Sequence, residues 1–425
     1  MRTIALSILV IMMISPPGAA PPILIKGGTI ITVTKGTIEG GDILLRDGKI
    51  AQVGKGIKAP NEAVIIDAAG KFVMPGIIDA HSHIGVYSWP DVPANDDGNE
   101  GTDPITPHVR AEDAFNANDP AITRAIAGGV TTIMTVPGSA NLIGGQAIVV
   151  KLKPGRTVDE IRIIGAPPGM KMALGENPKG VYGERKQMPS TRMGNIALMR
   201  QWFQKAREYN LKWDAYGLRK EKDEKAEQPE RDLKLEALSD VLKGKYLVHI
   251  HCYDRDEMLA MIKVADEFGF KIKSFIHGLE AYQIADTLAA REIAVCTWTD
   301  WWGFKLEAWQ GIPQAPGILA SKGVRLVFHS DSPNQIQRLW LDAAKAVRYG
   351  LDRQKAFEGL TINPAWTIGL EDRIGSIEEG KDADIAIFTG HPFDIYSKVE
   401  KTIVDGEILY DRSKEKSPLE AENDR

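Results

Sequence analysis

Apolar and polar positions divide the chain into stretches with different periods. From residue 22 to residue 71, short runs rich in β-branched residues alternate with glycine turns, as in residues 42–46 and 49–53. Similar runs at residues 383–388 and 399–410 close the chain. Neither set is long enough for a robust core of its own. We therefore predict that both chain ends pair into one small β-sandwich.

The middle of the chain alternates between strand-like and helix-like runs. Helical patterns cover residues 256–268 and 281–290, and a charge-rich segment at residues 219–236 indicates a solvated helix or loop. The alternation predicts parallel β/α units, and its length suits a TIM-like (β/α)8 barrel, an α/β fold. The strand-like runs are residues 130–136, 161–164, 246–251, 272–277, 293–297 and 324–329. The predicted domains are a β-sandwich from residues 21–70 and 366–413 and a barrel from residues 71–365.

The two extreme ends of the chain have their own signatures. Met1 and Arg2 give a positive start, Ile4 to Ile14 is mostly apolar, and prolines and small residues follow. This pattern predicts a signal peptide over residues 1–20 and export to the periplasm or the exterior, with an uncleaved N-terminal anchor as the alternative. No later segment is long and apolar enough for a stable membrane span. Residues 414–425 are predicted to be a polar tail.

Composition narrows the classes of protein. The 425 residues carry a formal net charge of −5 and no basic patch interleaved with aromatics, which argues against nucleic-acid binding. Only two cysteines are present, Cys252 and Cys296, which are too few for a disulfide framework; two free thiols are expected, with a single bridge as the alternative. No Gly-x-Ser-x-Gly elbow occurs, and neither cysteine has a nucleophile context. Homo-oligomerisation stays open.

Histidines and one aspartate close several of the predicted strands. In the run from Val73 to His83, apolar residues give way abruptly to Asp79, His81 and His83. Side chains two apart on a strand share a face, so His81 and His83 can bind one metal ion together. Such groups gather at the carboxyl ends of the strands in a parallel barrel. Other strand-end residues of this kind are His249, His251, His277, His329 and Asp331.

The run from Val73 to His83 resembles the first-strand signature of the amidohydrolase superfamily, and in particular imidazolonepropionase-related enzymes and Xaa-Pro dipeptidases. The resemblance implies two divalent metal ions, zinc being expected. Lys171, in a Gly-Met-Lys-Met-Ala-Leu-Gly run, resembles a bridging lysine that becomes carbamylated, with Glu176 as its rival. Resemblance favours His249 over His251 as ligand, and His251 and His329 are alternates or neighbours of the ligands. The implied ligands are His81, His83, Lys171, His249, His277 and Asp331.

The same resemblance implies a reaction. A hydroxide bridging the metals would attack a C–N bond in a small amide, acyl-amino acid, dipeptide or cyclic amide, and Asp331 would transfer the proton as the catalytic residue. Loops at residues 95–103 and 141–146 are predicted to border the active site, and Trp298, Trp301 and Trp302 to line the substrate pocket. One alternative is a mononuclear deaminase or imidazolonepropionase-like ring-opening enzyme. Another is an inactive barrel that serves as a binding module.

Overall fold

The computed structural model describes residues 20–415. Residues 1–19 of the predicted signal peptide and residues 416–425 of the predicted polar tail lie outside the described residues. The strands are β1 Ile23–Ile31, β2 Thr37–Arg46, β3 Lys49–Gly54, β4 Val64–Asp67, β5 Phe72–Pro75, β6 Ile77–Ser82, β7 Val130–Thr135, β8 Ile143–Lys151, β9 Gly169–Ala173, β10 Leu247–Cys252, β11 Ile272–His277, β12 Ala294–Thr297, β13 Leu326–Phe328, β14 Ile385–Phe388, β15 Val399–Val404 and β16 Glu407–Asp411. The α-helices are α1 Pro120–Ala127, α2 Val158–Ile161, α3 Glu176–Glu184, α4 Arg192–Lys220, α5 Leu233–Leu242, α6 Arg255–Phe268, α7 Ala285–Ala290, α8 Ala315–Ser321, α9 Leu339–Arg348, α10 Arg353–Leu360 and α11 Ile362–Thr367.

Strands from both ends of the chain join in one hydrogen-bonded sheet, which we call the terminal sheet. Its order is β16-β15-β14-β5-β1-β2-β3, with β4 also paired to β1. The two ends meet where β14 runs antiparallel to β5, with Ile385 opposite Pro75 and Phe388 opposite Phe72. Because β5 belongs to this sheet, the barrel wall begins at β6 rather than at the predicted residue 71.

The second sheet is an eight-stranded barrel wall in the order β13-β12-β11-β10-β9-β8-β7-β6. The barrel prediction is confirmed. The predicted succession of parallel β/α units is interrupted, however, because β8 runs antiparallel to both β7 and β9. The predicted strand at residues 161–164 is wrong, since Ile161 ends α2 and only Arg162 makes an isolated bridge to Val150. Ile161 and Ile163 are buried and their neighbours are exposed, which produced a strand-like alternation without a strand.

A buried carboxylate closes the barrel where its two edge strands meet. In the described part of the chain, β13 and β6 share no ladder. The Asp79 side chain, on β6, instead accepts hydrogen bonds from the Ser330 backbone N–H at 3.2 Å and the Ser330 hydroxyl at 2.5 Å, just past β13. Burial raises the pKa of Asp79 to about 7. The seam therefore fixes His81 and Asp331, which neighbour these two residues in the chain.

The helices outside the wall follow ordinary capping rules. In α6, the Asp254 side chain accepts from the N–H groups of Asp256 and Glu257, and Gly269 ends the helix with a left-handed φ of 79°. The charge-rich segment predicted at residues 219–236 spans the end of α4, a loop and the start of α5. Among residues 20–415, no helix combines the length and the apolar character needed to cross a membrane.

Candidate metal centre

Side chains from β6 and from the end of β13 meet at the carboxyl end of the barrel. The Asp331 Oδ1 atom lies 3.1 Å from His81 Nε2 and 3.3 Å from His83 Nε2. His83 Nδ1 lies 2.9 Å from the Val136 carbonyl oxygen, which orients the ring and leaves Nε2 to face Asp331. His329 joins His81 and Asp331 in a group whose candidate ligand atoms all lie within 4.8 Å of one another.

His277 packs against two aromatic rings. It is the last residue of β11, and its imidazole stacks on Tyr253 at 4.8 Å and on Trp298 at 4.6 Å between centroids. Its φ of 72° is in the left-handed region, as is the φ of 54° at Asp331. Non-glycine residues adopt this conformation at an energetic cost, and such positions cluster at functional sites.

The structure places His251 rather than His249 beside His277. His251 Nδ1 lies 2.7 Å from His277 Nε2 and 2.9 Å from the Ser139 hydroxyl. His249 is two residues earlier on β10, where its Nδ1 lies 2.8 Å from the Ser274 hydroxyl. Two residues of a strand span roughly 6.6 Å, so rings on one face still lie in different layers of the barrel. The predicted ligand His249 thus lies one layer below this cluster, and its predicted alternate His251 lies within the cluster.

Lys171 and Glu176, the two candidates for a bridging group, lie in different environments. Lys171 is fully buried in β9, and its Nζ donates to the Pro137 carbonyl at 3.1 Å and to the Ser139 hydroxyl at 2.9 Å. Burial lowers the pKa of Lys171 to about 7, which favours a neutral amine. Glu176 is the first residue of α3 and lines the cavity described below, where its Oε1 lies 3.4 Å from Lys305 Nζ. Ser139 thus connects Lys171 to His251.

The donor set fits a divalent metal. Buried polar atoms in proteins are nearly always paired, yet several imidazole nitrogens in this cluster have no hydrogen-bond partner among the described residues. Burial lowers the pKa of His81, His251, His277 and His329, so these rings are neutral, which is the form that binds metals. The unpaired atoms are Nδ1 of His81, Nε2 of His251, Nδ1 of His277 and both ring nitrogens of His329; His249 Nε2, deeper in the barrel, is also unpaired.

Asp331 supplies the negative charge of the centre. Burial by itself would raise its pKa, but the surrounding imidazoles of His277, His81 and His83 hold the pKa well below its usual range. Asp331 is therefore a carboxylate at neutral pH. Neutral imidazoles beside a carboxylate match the ligand preferences of zinc.

A cavity of about 680 Å³ opens above the centre. Its floor includes His83, His251, His277 and Asp331. The predicted loop at residues 95–103 contributes Asn99 to the lining of this cavity. The second predicted loop is largely strand, because β8 begins at Ile143. Further lining residues are Tyr87, Ser139, Glu176, Tyr253, Phe304 and Lys305.

The three predicted substrate-side tryptophans separate in the structure. Trp298 is buried, and Trp301 stacks on it with centroids 4.7 Å apart. Both line a smaller neighbouring cavity of about 240 Å³ together with His329. Trp302 lines neither of these cavities, and its Nε1 instead donates to the Trp309 carbonyl at 2.6 Å.

Sequence reasoning missed Ser139, Tyr87 and Tyr253. Tyr253 had a usable signal, because it is two residues after His251 and continues the same face of the strand. Tyr87 packs edge-on against His83 with centroids 5.4 Å apart, but it comes from a loop with no periodic pattern. Ser139 could be found only from the three-dimensional arrangement.

A barrel with imidazoles, a buried lysine and an aspartate at its strand ends defines the class of metal-dependent hydrolases that act on C–N bonds. The model of the amidohydrolase family matches residues 72–409. The chain belongs to the amidohydrolase family, which confirms the family and the class of enzyme predicted from the sequence.

Three similar proteins illustrate this membership. Amidohydrolase tasK of Hapsidospora irregularis is 35% identical over 391 residues, which are 87% of this chain and 40% of that protein, so the chain spans less than half of this relative. Imidazolonepropionase of Thermoplasma volcanium is 25% identical over 402 residues, 89% of this chain and 92% of the relative. The crystal structure of an amidohydrolase from Thermotoga maritima is 44% identical with a TM-score of 0.86, covering 92% of this chain and all of that one (100%).

Proposed function

We propose that the protein hydrolyses the C–N bond of a small amide, acyl-amino acid, dipeptide or cyclic amide with the help of two zinc ions. The observation that carries this proposal is the convergence of His81, His83 and Asp331 with unpaired, buried imidazole nitrogens of His251 and His277. The cavity above them has the size typical of small-molecule sites. Export, proposed from residues 1–20, would place this activity in the periplasm or outside the cell.

The residues divide into two sets of ligands. His81, His83 and Asp331 would hold one metal ion, His251 and His277 would hold the second, and Lys171 would bridge the two as a carbamate. Bound divalent zinc lowers the pKa of water, so that a nucleophile is available near neutral pH. A neutral amine at Lys171 is the form that reacts with carbon dioxide, and its burial supports this role.

Asp331 carries out the proton transfer. As an ionised carboxylate facing the cavity it accepts the proton of the attacking water and delivers it to the leaving nitrogen. Its position beside His81 and His83 keeps one carboxylate oxygen oriented while the cavity side stays open. His83 is itself oriented by the Val136 carbonyl, so the geometry is established before substrate arrives.

A mononuclear ring-opening hydrolase is the second candidate. It is favoured by the relative named imidazolonepropionase, which aligns over 89% of this chain. That reaction would need one metal ion, and Lys171 would remain an unmodified amine. The number of metal ions per chain separates the two candidates.

The deciding experiment combines metal content with the substitution Asp331→Asn. The full chain, purified without chelators and supplied with zinc and bicarbonate, should hold two zinc ions by elemental analysis and hydrolyse members of a panel of acyl-amino acids, dipeptides and cyclic amides. Asp331→Asn should lower kcat by about 10²–10⁴-fold. Asp300→Asn is the matched control, because Asp300 is an exposed carboxylate paired with Lys345. Full activity of Asp331→Asn would refute the mechanism, and one zinc ion would favour the second candidate.

A further inference from the structure

The loop after β12 reverses the usual distribution of polar and apolar side chains. Four of its large apolar residues are exposed. The side chain of Lys305, which lies among them in the sequence, is in contrast only 17% exposed. Charged side chains normally lie outside and large apolar ones inside. The exposed residues, which we call the apolar rim, are Trp302 (56%), Phe304 (57%), Leu306 (80%) and Trp309 (59%).

Polar contacts hold this loop in place. The Lys305 ammonium lies 4.0 Å from the centroid of the Tyr253 ring, 3.2 Å from Glu307 Oε2 and 3.4 Å from Glu176 Oε1. Since burial of a lysine is costly without such partners, these contacts fix the loop with Lys305 inward. Its neighbours Phe304 and Leu306 are consequently left facing out.

The rim is also ordered within itself. Trp302 donates its indole N–H to the Trp309 carbonyl, and the two rings lie 5.3 Å apart between centroids. Sixteen large apolar side chains are exposed in residues 20–415, and four of them lie in the eight-residue stretch 302–309. A concentrated apolar surface beside a cavity is typical of a ligand-binding surface.

The apolar rim reaches the cavity of the candidate metal centre through one of its members, Phe304. Phe304 lines the cavity of about 680 Å³ together with His277 and Asp331. Its ring lies 6.2 Å from that of Tyr253, which in turn stacks on His277. A ligand whose reactive group lies over the centre would therefore extend its remainder onto Phe304. Leu306 lies two residues further on, across the extended backbone of Lys305, and so continues the face of Phe304 away from the cavity.

We propose that the apolar rim binds a bulky apolar substituent of the substrate, an alkyl chain or an aromatic group, attached close to the scissile C–N bond. This inference rests on the proposed function and narrows it to amides that carry such a group. The unreacting part of the substrate then supplies binding energy that positions the amide. Small polar amides of the same chemistry bind weakly.

Two metal-chelating probes test the inference without turnover. Acetohydroxamate and octanohydroxamate share their chelating head and differ by six methylene groups, so their Kd values on the zinc-loaded full chain isolate the contribution of the tail. Titration by calorimetry should show octanohydroxamate binding at least about tenfold tighter, since each buried methylene adds to affinity. In the double variant Phe304→Ala and Leu306→Ser, the ratio of the acetohydroxamate Kd to the octanohydroxamate Kd should fall to about three or less. The Kd of acetohydroxamate should change far less than that of octanohydroxamate.

A matched control uses an apolar pair elsewhere on the surface. Ile395 and Tyr396 are exposed by 75% and 85%, so Ile395→Ser with Tyr396→Ser removes a similar apolar surface outside the cavity lining. This control should keep the wild-type ratio. The proposal would be overturned if the two Kd values were nearly equal in the wild type. It would also be overturned if the rim substitutions left the ratio of the two Kd values unchanged.

Two further outcomes have separate meanings. If the rim substitutions change the oligomeric state in light scattering and leave the ratio intact, the rim is a contact between copies of the chain and the proposal is wrong. If neither hydroxamate binds, the metal-dependent function itself fails, and the inference about the rim falls with it.

Discussion

Residues that contribute no chemistry of their own orient the side chains of the candidate centre. The Val136 carbonyl orients His83, the Ser139 hydroxyl contacts both His251 and Lys171, and Tyr253 and Trp298 pack against the His277 ring. Hydrogen bonds and packing of this kind fix the tautomer and direction of ligand side chains. Their loss would disturb the centre without removing a ligand.

The choice between His249 and His251 gives a prediction at this scale. His251→Asn should weaken zinc binding by at least about 10–100-fold, because His251 lies beside His277 and has a free Nε2. His249→Asn should keep the zinc content, since His249 is bonded to Ser274 a layer deeper. Zinc dissociation constants from competition with a chromogenic chelator measure both. Loss of zinc in His249→Asn alone would reverse the assignment.

The sequence was sufficient to select residue types but not to choose between neighbours on one face. Period-two alternation placed His249 and His251 on the same side of a strand, and the structure agrees. Which of them reaches the centre depends on how neighbouring strands are staggered around the barrel, and a single sequence carries no direct record of that stagger. The position of Lys171, opposite His249 in the ladder, depends on the same stagger.

At the scale of elements, the sequence pattern failed where a strand contains glycine or where the alternating segment is short. The sequence predicts a loop over the first part of β8 because Gly144 and Gly145 interrupt its apolar pattern. Gly145 has a φ of 132°, and a side chain there would overlap the Val109 carbonyl, so the glycine serves close packing rather than a turn. Helix α6, in contrast, was predicted almost to its ends because its apolar period and its cap residues agree.

Gly76 gives the prediction that belongs to this scale. It separates β5 from β6, and a Cβ at this position would overlap the Thr131 side chain. Gly76→Ala should lower the free energy of unfolding by about 1–3 kcal/mol through overpacking. Gly217→Ala is the control, because Gly217 lies in α4 with no atom near its would-be Cβ, and it should stabilise by about 0.5–1 kcal/mol. Urea denaturation of both variants measures the difference, and equal stability of Gly76→Ala and wild type would contradict the role given to the junction.

At the scale of the whole molecule, the terminal sheet joins residues more than 300 positions apart. The pairing of both chain ends was predictable because neither set of strands could form an adequate core alone. The ladder between β14 and β5 was not, since register depends on side chains that meet only in the folded sheet. The Glu378 carboxylate adds a polar connection, accepting from the Thr34 hydroxyl at 2.9 Å and lying 3.1 Å from Lys35 Nζ.

Glu378 predicts how stability changes with pH. Hydrogen bonds from Ser376, Lys35 and Thr34 lower its pKa from 4.5 to about 2. Because the folded-state pKa is depressed, its stabilisation is present above pH 4.5 and is lost as pH falls toward 2. Wild type should therefore be more stable than Glu378→Gln at pH 6, and the difference should shrink between pH 4.5 and 2. A difference that stays constant over that range, measured by chemical denaturation, would exclude this linkage.

The ladder between β14 and β5 also sets an order of events during synthesis. β5 ends at Pro75, but its partner strand begins at Ile385, so a ribosome must add more than 300 residues before that pair can form. Throughout that interval the nascent chain carries an unpaired strand edge and the apolar face of β1, which are sites of non-native association. The N-terminal strands thus become a finished sheet only when nearly the entire polypeptide has emerged, and premature termination before β14 would release an aggregation-prone product rather than a smaller enzyme.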